Sequence, residues 1–232
     1  MLPKVFILCS LFNLVNGDIN LDKVLIVESK VVIQELKKNH MLPRGSVLMT
    51  SSGDLQKLGI KTIIHAATGS MTKSKGQFEP TLDSIGHSVT NSLELALKNN
   101  FKSIAIPFLG GKIFASRIGG GSSKIMEKIV DSAQSYSSKL EIHFVLFDDP
   151  DFIMFKKYID SKYKNLNFKI HHGSIVDFKL HTCSIIVNAA NMEVKFGGGL
   201  SGVIAKATNN ESKIDLEAKS IINEYYKKQT GK

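Results

Sequence analysis

The composition of this chain is that of a folded globular protein. It has 232 residues, 43% of them hydrophobic, and a mean hydropathy of +0.01, which argues against intrinsic disorder. Two cysteines exclude a disulfide framework and favour a reducing compartment, so we expect a cytoplasmic or nuclear protein. The net charge of +9 favours acidic partners such as RNA, although lysines spread along the chain are also typical of a solvated surface.

The N-terminal residues 1–15 allow two interpretations. A single lysine, Lys4, followed by a short apolar run imitates a signal peptide, which would imply secretion. The run lacks a small-x-small cleavage site, and a buried first strand accounts for the same residues, so we favour the strand. No apolar stretch reaches the length that a membrane-spanning helix needs, and no membrane partner is expected.

Short apolar runs alternate with helical patterns along the rest of the chain. This alternation predicts a three-layer α/β/α fold with a mixed, mainly parallel sheet covered on both faces. Apolar stripes at helical spacing predict helices within residues 82–97, 125–133, 152–159, 200–207 and 214–225, with a further helix at Ser29–Lys38. The predicted strands are Phe12–Val15, Val24–Val27, Val47–Thr50, Thr62–Ala67, Ser103–Phe108, Ile142–Phe147, Phe168–His171 and Ile185–Asn188.

The last predicted strand leads into the most informative motif of the chain. The run Ser184-Ile-Ile-Val-Asn-Ala-Ala-Asn191 precedes Gly197-Gly-Gly-Leu200, which opens a predicted helix. Glycines permit close backbone approach, and a helix start presents free N–H groups with a partial positive charge. The amides of Asn188 and Asn191 suit sugar hydroxyls. The motif therefore predicts a site for a phosphorylated sugar or nucleotide.

A second glycine loop follows the predicted strand Ser103–Phe108. It contains Gly110 and Gly111, and Gly119–Gly121 comes next, before a predicted helix. Ligands of open α/β sheets bind where such strands end, so the two loops would close on one diphosphate from both sides. The alternative is that these glycines form flexible surface loops.

With both loops in view, the sequence resembles the macro domain family, which binds ADP-ribose. Val187-Asn-Ala-Ala-Asn191 with Gly197-Gly-Gly199 is similar to the signature of the first half of that family. The resemblance covers about residues 45–210 and implies a macro-domain-like α/β fold. Similarity to the family's second half lies in Gly45–Thr50, Ile63–Ala67 and Ser103–Pro107 with the loop that follows.

The two halves stand in the reverse of the family's order. In one interpretation the chain holds a single circularly permuted domain. In the other, residues 1–165 form a degenerate complete domain and 166–232 begin a truncated second copy. The regions are then an extension or degenerate first strands at 1–39, second-half motifs at 40–165, and first-half motifs at 166–232. We favour one site assembled from both ends, within one chain or in a domain-swapped dimer.

The resemblance implies a role for each motif residue. Asn188 and Asn191 would approach the distal ribose, and the glycine triplet would bind phosphate through its backbone N–H groups. The second loop would oppose the triplet, with Phe114 packing against a ribose. The ligand-binding residues implied in this way are Asn188, Ala189, Asn191, Gly197, Gly198, Gly199, Leu200, Gly110, Gly111, Ile113, Phe114, Ser174 and Ile175.

Two departures from the family bear on selectivity. Members usually carry a carboxylate for the adenine amino group where this chain has Ser174, which puts adenine selectivity in doubt; only Asp18 or Asp177 would substitute. Lys112 stands in the second loop where a small residue is usual. Its ammonium would help to neutralise a diphosphate, or its bulk would obstruct the groove.

A third departure bears on catalysis. Many family hydrolases carry an aspartate where this chain has Ser201, and a serine alone is a poor base at neutral pH. Another branch, which includes viral members, manages with the asparagine and the three glycines. Asn191 is therefore the candidate catalytic residue, and it would act by positioning the substrate.

Four functions follow from these features. The chain would bind ADP-ribose, free or attached to protein, or it would be a mono-ADP-ribosyl hydrolase or an ADP-ribose-1″-phosphate phosphatase. Alternatively it would be a basic module for RNA or poly-ADP-ribose, or a degenerate interaction domain. No cofactor is expected, and no metal, since the spacing of His171, His172, His181 and Cys183 fits no standard zinc site.

Overall fold

The strands that the structure describes lie in one sheet of seven strands. The structure is a computed structural model that describes residues 23–26, 41–69, 79–112 and 114–230, with only the backbone for 229–230. The predicted strand Phe12–Val15 and helix Ser29–Lys38 lie outside the described residues. The strands within them are β1 (Val24–Leu25), β2 (Val47–Ser51), β3 (Thr62–Ala67), β4 (Ser103–Ile106), β5 (Glu141–Leu146), β6 (Phe168–His172) and β7 (Ile185–Ala190).

Seven α-helices are found in the described part of the chain, and two 3-10 turns occur at Ala115–Arg117 and Gln134–Tyr136. None of the described helices is both long and apolar enough to cross a membrane. The helices are α1 (Leu55–Leu58), α2 (Leu82–Lys98), α3 (Gly121–Ala133), α4 (Asp149–Lys162), α5 (Phe178–His181), α6 (Gly199–Thr208) and α7 (Glu211–Thr230).

The strand order places β7 at the centre of the sheet. The order is β1-β2-β3-β7-β4-β5-β6, with antiparallel pairing at β1–β2 and β2–β3 and parallel pairing elsewhere. Ile186 of β7 is paired with Ile63 of β3 on one side and with Ala105 of β4 on the other. The sheet is thus mixed and mainly parallel, as the alternating pattern predicts.

Helices cover both faces of this sheet. On one face α2, α3 and α4 bury a cluster that includes Ile106 and Phe144. On the other face α6 and α7 pack over Ile63 and Ile186 and continue towards β2. The three-layer α/β/α arrangement predicted from the sequence is therefore confirmed.

Strand β4 is shorter than predicted. It ends at Ile106, whereas the apolar run predicts a strand as far as Phe108. Proline has no N–H to give to a neighbouring strand, so Pro107 ends the pairing. The N–H of Leu109 then donates to the carbonyl of Pro107 at 2.8 Å, which turns the chain into the second glycine loop.

Candidate ligand-binding site

The two glycine loops begin at the same edge of the sheet. Strands β3, β7, β4, β5 and β6 are parallel neighbours, so their carboxyl ends share one edge. Gly197 lies seven residues beyond the end of β7, and Gly110 lies four residues beyond the end of β4. Because these two strands are adjacent, both loops rise from the middle of this edge. Ligands of open α/β sheets bind at such places.

The glycine triplet leaves the start of α6 open. Gly198 caps the helix, and Gly199 has φ +59°, a left-handed conformation that favours glycine. A Cβ atom added at Gly197, Gly198 or Gly199 would meet nothing within 4 Å. The first N–H groups of a helix have no partner within it. The space around the start of α6 is therefore open, and a ligand can approach its first N–H groups.

A buried serine holds the first residue of the triplet. Ser201 is 7% exposed, and its Oγ accepts from the N–H of Gly197 at 3.3 Å and from Nδ2 of Asn188 at 3.3 Å. A Cβ atom on Gly202 would lie 2.7 Å from the carbonyl oxygen of Gly197, so this fourth glycine lets the loop lie against the helix. Since the N–H of Gly197 is already used, Gly198, Gly199 and Leu200 supply the donors that face outwards.

Asn188 lies inside β7 and not at its end. Asn188 is 1% exposed. Its Nδ2 lies 3.3 Å from Nδ1 of His65, the residue of β3 that is paired with Asn188. Because Nδ2 donates there, the proton of His65 is on Nε2, which donates to Oγ1 of Thr50 at 2.8 Å. Burial lowers the pKa of His65 to about 3, so the ring is neutral. Oδ1 of Asn188 has no hydrogen-bond partner among the described residues.

Asn191 closes the loop between β7 and the glycine triplet. Its Nδ2 donates to the carbonyl of Lys195 at 3.0 Å, and its Oδ1 accepts from the N–H of Lys195 at 3.3 Å. The loop contains Val194 with φ +54°, a conformation that a β-branched residue rarely adopts. The half-buried amide of Asn191 thus holds the strained segment that contains Val194, next to the glycine triplet. Ala189 lies between the two asparagines within β7 and is half-buried.

Phe196 links the loop to α7. Its ring packs edge-on against His65 with centroids 5.4 Å apart, and its N–H donates to Oδ1 of Asp215 at 3.2 Å. Burial raises the pKa of Asp215. Helix α7 is itself held on β2 by Glu217, whose carboxylate accepts from the N–H of Ser51 at 3.0 Å and from its hydroxyl at 2.6 Å. Asp215 could not be predicted from the sequence, because its contact is with a residue outside α7.

In the second glycine loop, neighbouring side chains lie so close to the glycines that a Cβ atom would not fit. Gly110 has φ +70°, and a Cβ atom there would lie 2.7 Å from Cδ1 of Ile85 on α2. A Cβ atom on Gly111 would lie 2.6 Å from the ring of Phe108. Phe114 is half-buried and caps the 3-10 turn that follows. Ile113 lies outside the described residues.

The residues predicted to lie near the adenine, Ser174 and Ile175, follow β6, the last strand along the same edge of the sheet. Ser174 is half-buried and its carbonyl accepts from the N–H of Asp177, whose side chain caps α5. Ile175 is 2% exposed, so its side chain belongs to the core. An aromatic residue that the motifs do not include lies nearby. Phe147 is 72% exposed directly after β5, and its carbonyl is 3.1 Å from Nε2 of His172 on β6.

A family model for the macro domain matches residues 27–118 of this chain. A macro domain-containing protein from Caldanaerobacter subterraneus subsp. tengcongensis is 30% identical over 132 residues, which cover 57% of this chain and 70% of that protein. This chain belongs to the macro domain family.

Other relatives of this macro domain are more distant. Two proteins named O-acetyl-ADP-ribose deacetylase, from Cronobacter turicensis and Cronobacter sakazakii, are 25% and 23% identical over 113 residues, or 49% of this chain. The chain spans 61% and 59% of their lengths. A solved mutant macrodomain from Oceanobacillus iheyensis is 19% identical, with a TM-score of 0.44 over 59% of this chain and 71% of its own.

Two cavities among the described residues lie away from the glycine loops. One of about 460 Å³ is at the opposite edge of the sheet, where β2 ends, and its lining includes Asp54, Lys57 and Lys213. Another of about 250 Å³ lies beside α4 and β6. The glycine triplet, by contrast, faces open space at the carboxyl edge of the sheet.

Two of the histidines considered for zinc, His171 and His181, form hydrogen bonds within the protein. His143 of β5 is buried, with its Nδ1 2.9 Å from Nε2 of His171 and its Nε2 2.6 Å from the carboxylate of Glu141. His181 binds the carbonyl of Ile175 at 2.8 Å. Across the described ranges, no group of three or more histidine, cysteine, aspartate or glutamate side chains is arranged to hold a metal ion.

Proposed function

We propose that this macro domain binds ADP-ribose, free or attached to a protein, at the edge of the sheet where the parallel strands end. The observation that carries the proposal is the open start of α6, where Gly197, Gly198 and Gly199 have free space in place of side chains. A helix start attracts an anion through its N–H groups and its dipole. The names of the Cronobacter relatives refer to an ADP-ribose derivative, which supports this choice of ligand.

In this proposal the diphosphate lies between the two glycine loops. The N–H groups of Gly198, Gly199 and Leu200 donate to one side of it, since the N–H of Gly197 already donates to Ser201. The loop that begins at Gly110 bounds the other side, because β4 is the neighbour of β7. The distal ribose then lies beside the loop that Asn191 closes.

The adenine extends along the edge towards β5 and β6. Phe147 offers an exposed aromatic face, and stacking on such a face contributes about 1–3 kcal/mol per base. Ser174 lies in the next loop and offers a hydroxyl. Stacking accepts any base, so we expect this end of the site to discriminate weakly among purines.

We assign Asn188 to support of the site and not to contact with the ligand. Its side chain lies beneath the glycine loop, 1% exposed, and its Nδ2 donates to Ser201 and His65. The asparagine therefore fixes the position of Ser201, which in turn fixes Gly197. Asn191, which is nearer the surface, is the asparagine that a ribose would reach.

The geometry favours binding over hydrolysis. The hydroxyl of Ser201 is buried and accepts two hydrogen bonds, so it does not face an attacking water. His65 is neutral and enclosed between Thr50 and Asn188. Asn191 binds the backbone of Lys195 through both its amide atoms. The side chains that would assist an attacking water, those of Ser201, His65 and Asn191, are therefore engaged in contacts that hold the loop in place.

The proposal is tested with two valine substitutions at exposed positions, one in the glycine triplet and one at the opposite edge of the sheet. Gly198 has φ −80° and ψ −175°, which valine adopts readily, so Gly198→Val should fold normally while its side chain fills the space before the donors. We expect its affinity for ADP-ribose to fall at least about tenfold in calorimetric titration. Leu58→Val is the control, since this side chain is 59% exposed on α1 at the opposite edge of the sheet, and it should bind as the wild type does. Absence of saturable binding by the wild type, or equal binding by both variants, would contradict the proposal.

A further inference from the structure

Lys112 adopts a backbone conformation that is costly for a lysine. It lies in the loop after β4 with φ +57°, in the left-handed region. That conformation is less favourable for a residue with a side chain than for glycine. Strain of this kind is found where the side chain serves a purpose, so its contacts are informative.

The ammonium of Lys112 forms an ion pair with Asp148, the residue that precedes α4. Asp148 occupies the capping position of this helix, yet its side chain makes no capping hydrogen bond. The contact with Asp148 also raises the pKa of Lys112. The carboxylate is thus directed towards the lysine and away from its ordinary role at a helix start.

Both partners lie at the edge proposed for the ligand. Lys112 directly follows Gly111 in the second glycine loop, and Asp148 directly follows Phe147 at the end of β5. The lysine side chain is 65% exposed and the aspartate side chain 33% exposed. A lysine has a flexible stem, and its ammonium binds phosphate as a point charge. A diphosphate between the loops would therefore compete with Asp148 for the same ammonium.

We propose that Lys112 is a charged contact for the diphosphate and that Asp148 acts as its intramolecular competitor in the free protein. The proposal rests on the binding of ADP-ribose proposed above. Binding then exchanges one ion pair for another, which lowers the affinity below what the lysine alone would provide. A ligand with a single negative charge, such as a phosphodiester, should displace Asp148 less well than a diphosphate with two negative charges.

The test is a double-mutant cycle with ADP-ribose as the probe in calorimetric titration. Lys112→Met removes the ammonium and should weaken binding about fivefold to tenfold. Asp148→Asn releases the ammonium and should tighten binding about threefold or more. The double variant should bind like Lys112→Met, because the aspartate acts through the lysine.

The cycle separates this inference from simpler explanations. If Asp148 merely repelled the ligand, Asp148→Asn would tighten binding equally in the Lys112→Met background, and that result would overturn the inference. If the pair only braced the loop, both single variants would weaken binding, which would overturn it as well. Lys112→Gly, which relieves the left-handed strain, provides a second variant that should fold and bind as weakly as Lys112→Met. If the wild type does not bind ADP-ribose, both the proposed function and this inference are overturned. If the wild type binds but the variants do not follow the pattern of affinities expected above, only this inference is overturned.

Discussion

Two buried serines on helices of this protein differ in what their hydroxyls contact. Ser201 on α6 accepts hydrogen bonds from Gly197 and Asn188. Ser88 on α2 is 0% exposed, and its Oγ has no partner among the described residues. A buried polar group without a partner costs free energy, whereas one that satisfies two donors contributes to stability. The same substitution should therefore have opposite effects at these two positions.

Ser201→Ala should destabilise the protein by about 1–3 kcal/mol, because it leaves the N–H of Gly197 and the amide of Asn188 without an acceptor. Ser88→Ala should leave the free energy of unfolding unchanged or raise it by up to about 1 kcal/mol, since alanine is also the better helix former. Urea denaturation at pH 7 measures both values. A Ser201→Ala variant as stable as the wild type would show that the contacts of Ser201 do not stabilise the loop, and a loss from Ser88→Ala would contradict the expectation for Ser88.

Elements were predicted well where local pattern decides them. The bounds of β3 agree with the prediction, and those of β2 and β6 differ by one residue at one end. The shared edge of the glycine loops also followed from the sequence, because strands that alternate with helices are parallel. What could not be predicted depends on distant partners. Asn188 contacts a histidine 123 positions away, and Phe147 is exposed because β5 ends at Leu146.

The position of β7 in the sheet allows a test of whether residues 1–165 and 166–232 form one domain. Residues 166–232 contribute a strand that lies between β3 and β4, so a chain of residues 1–165 would leave both flanks unpaired. We expect the two fragments to show little cooperative unfolding alone and to regain it when mixed, as followed by circular dichroism during thermal unfolding. A cooperative transition of residues 1–165 alone would instead support a complete first domain. The permuted arrangement stays a prediction until this is measured.

The whole molecule carries several histidines that folding keeps neutral. Burial lowers the pKa of His65 to about 3, and it also lowers the pKa values of His143, His171 and His181. Such groups bind more protons in the unfolded state than in the folded state. The free energy of unfolding therefore falls as the pH drops below about 6.5, the pKa of a free histidine. Burial raises the pKa of Asp151 and opposes this trend at the acidic end.

His65 alone should lower the free energy of unfolding by about 2 kcal/mol between pH 7 and pH 5, since its folded pKa lies well below that range. Urea denaturation of the wild type at both pH values gives the total difference. His65→Gln should reduce that difference by the contribution of this ring, whatever its effect on stability at pH 7. A His65→Gln protein with the full wild-type difference would mean that this ring accepts no proton on unfolding in that range, and that its burial between Thr50 and Asn188 does not hold it neutral.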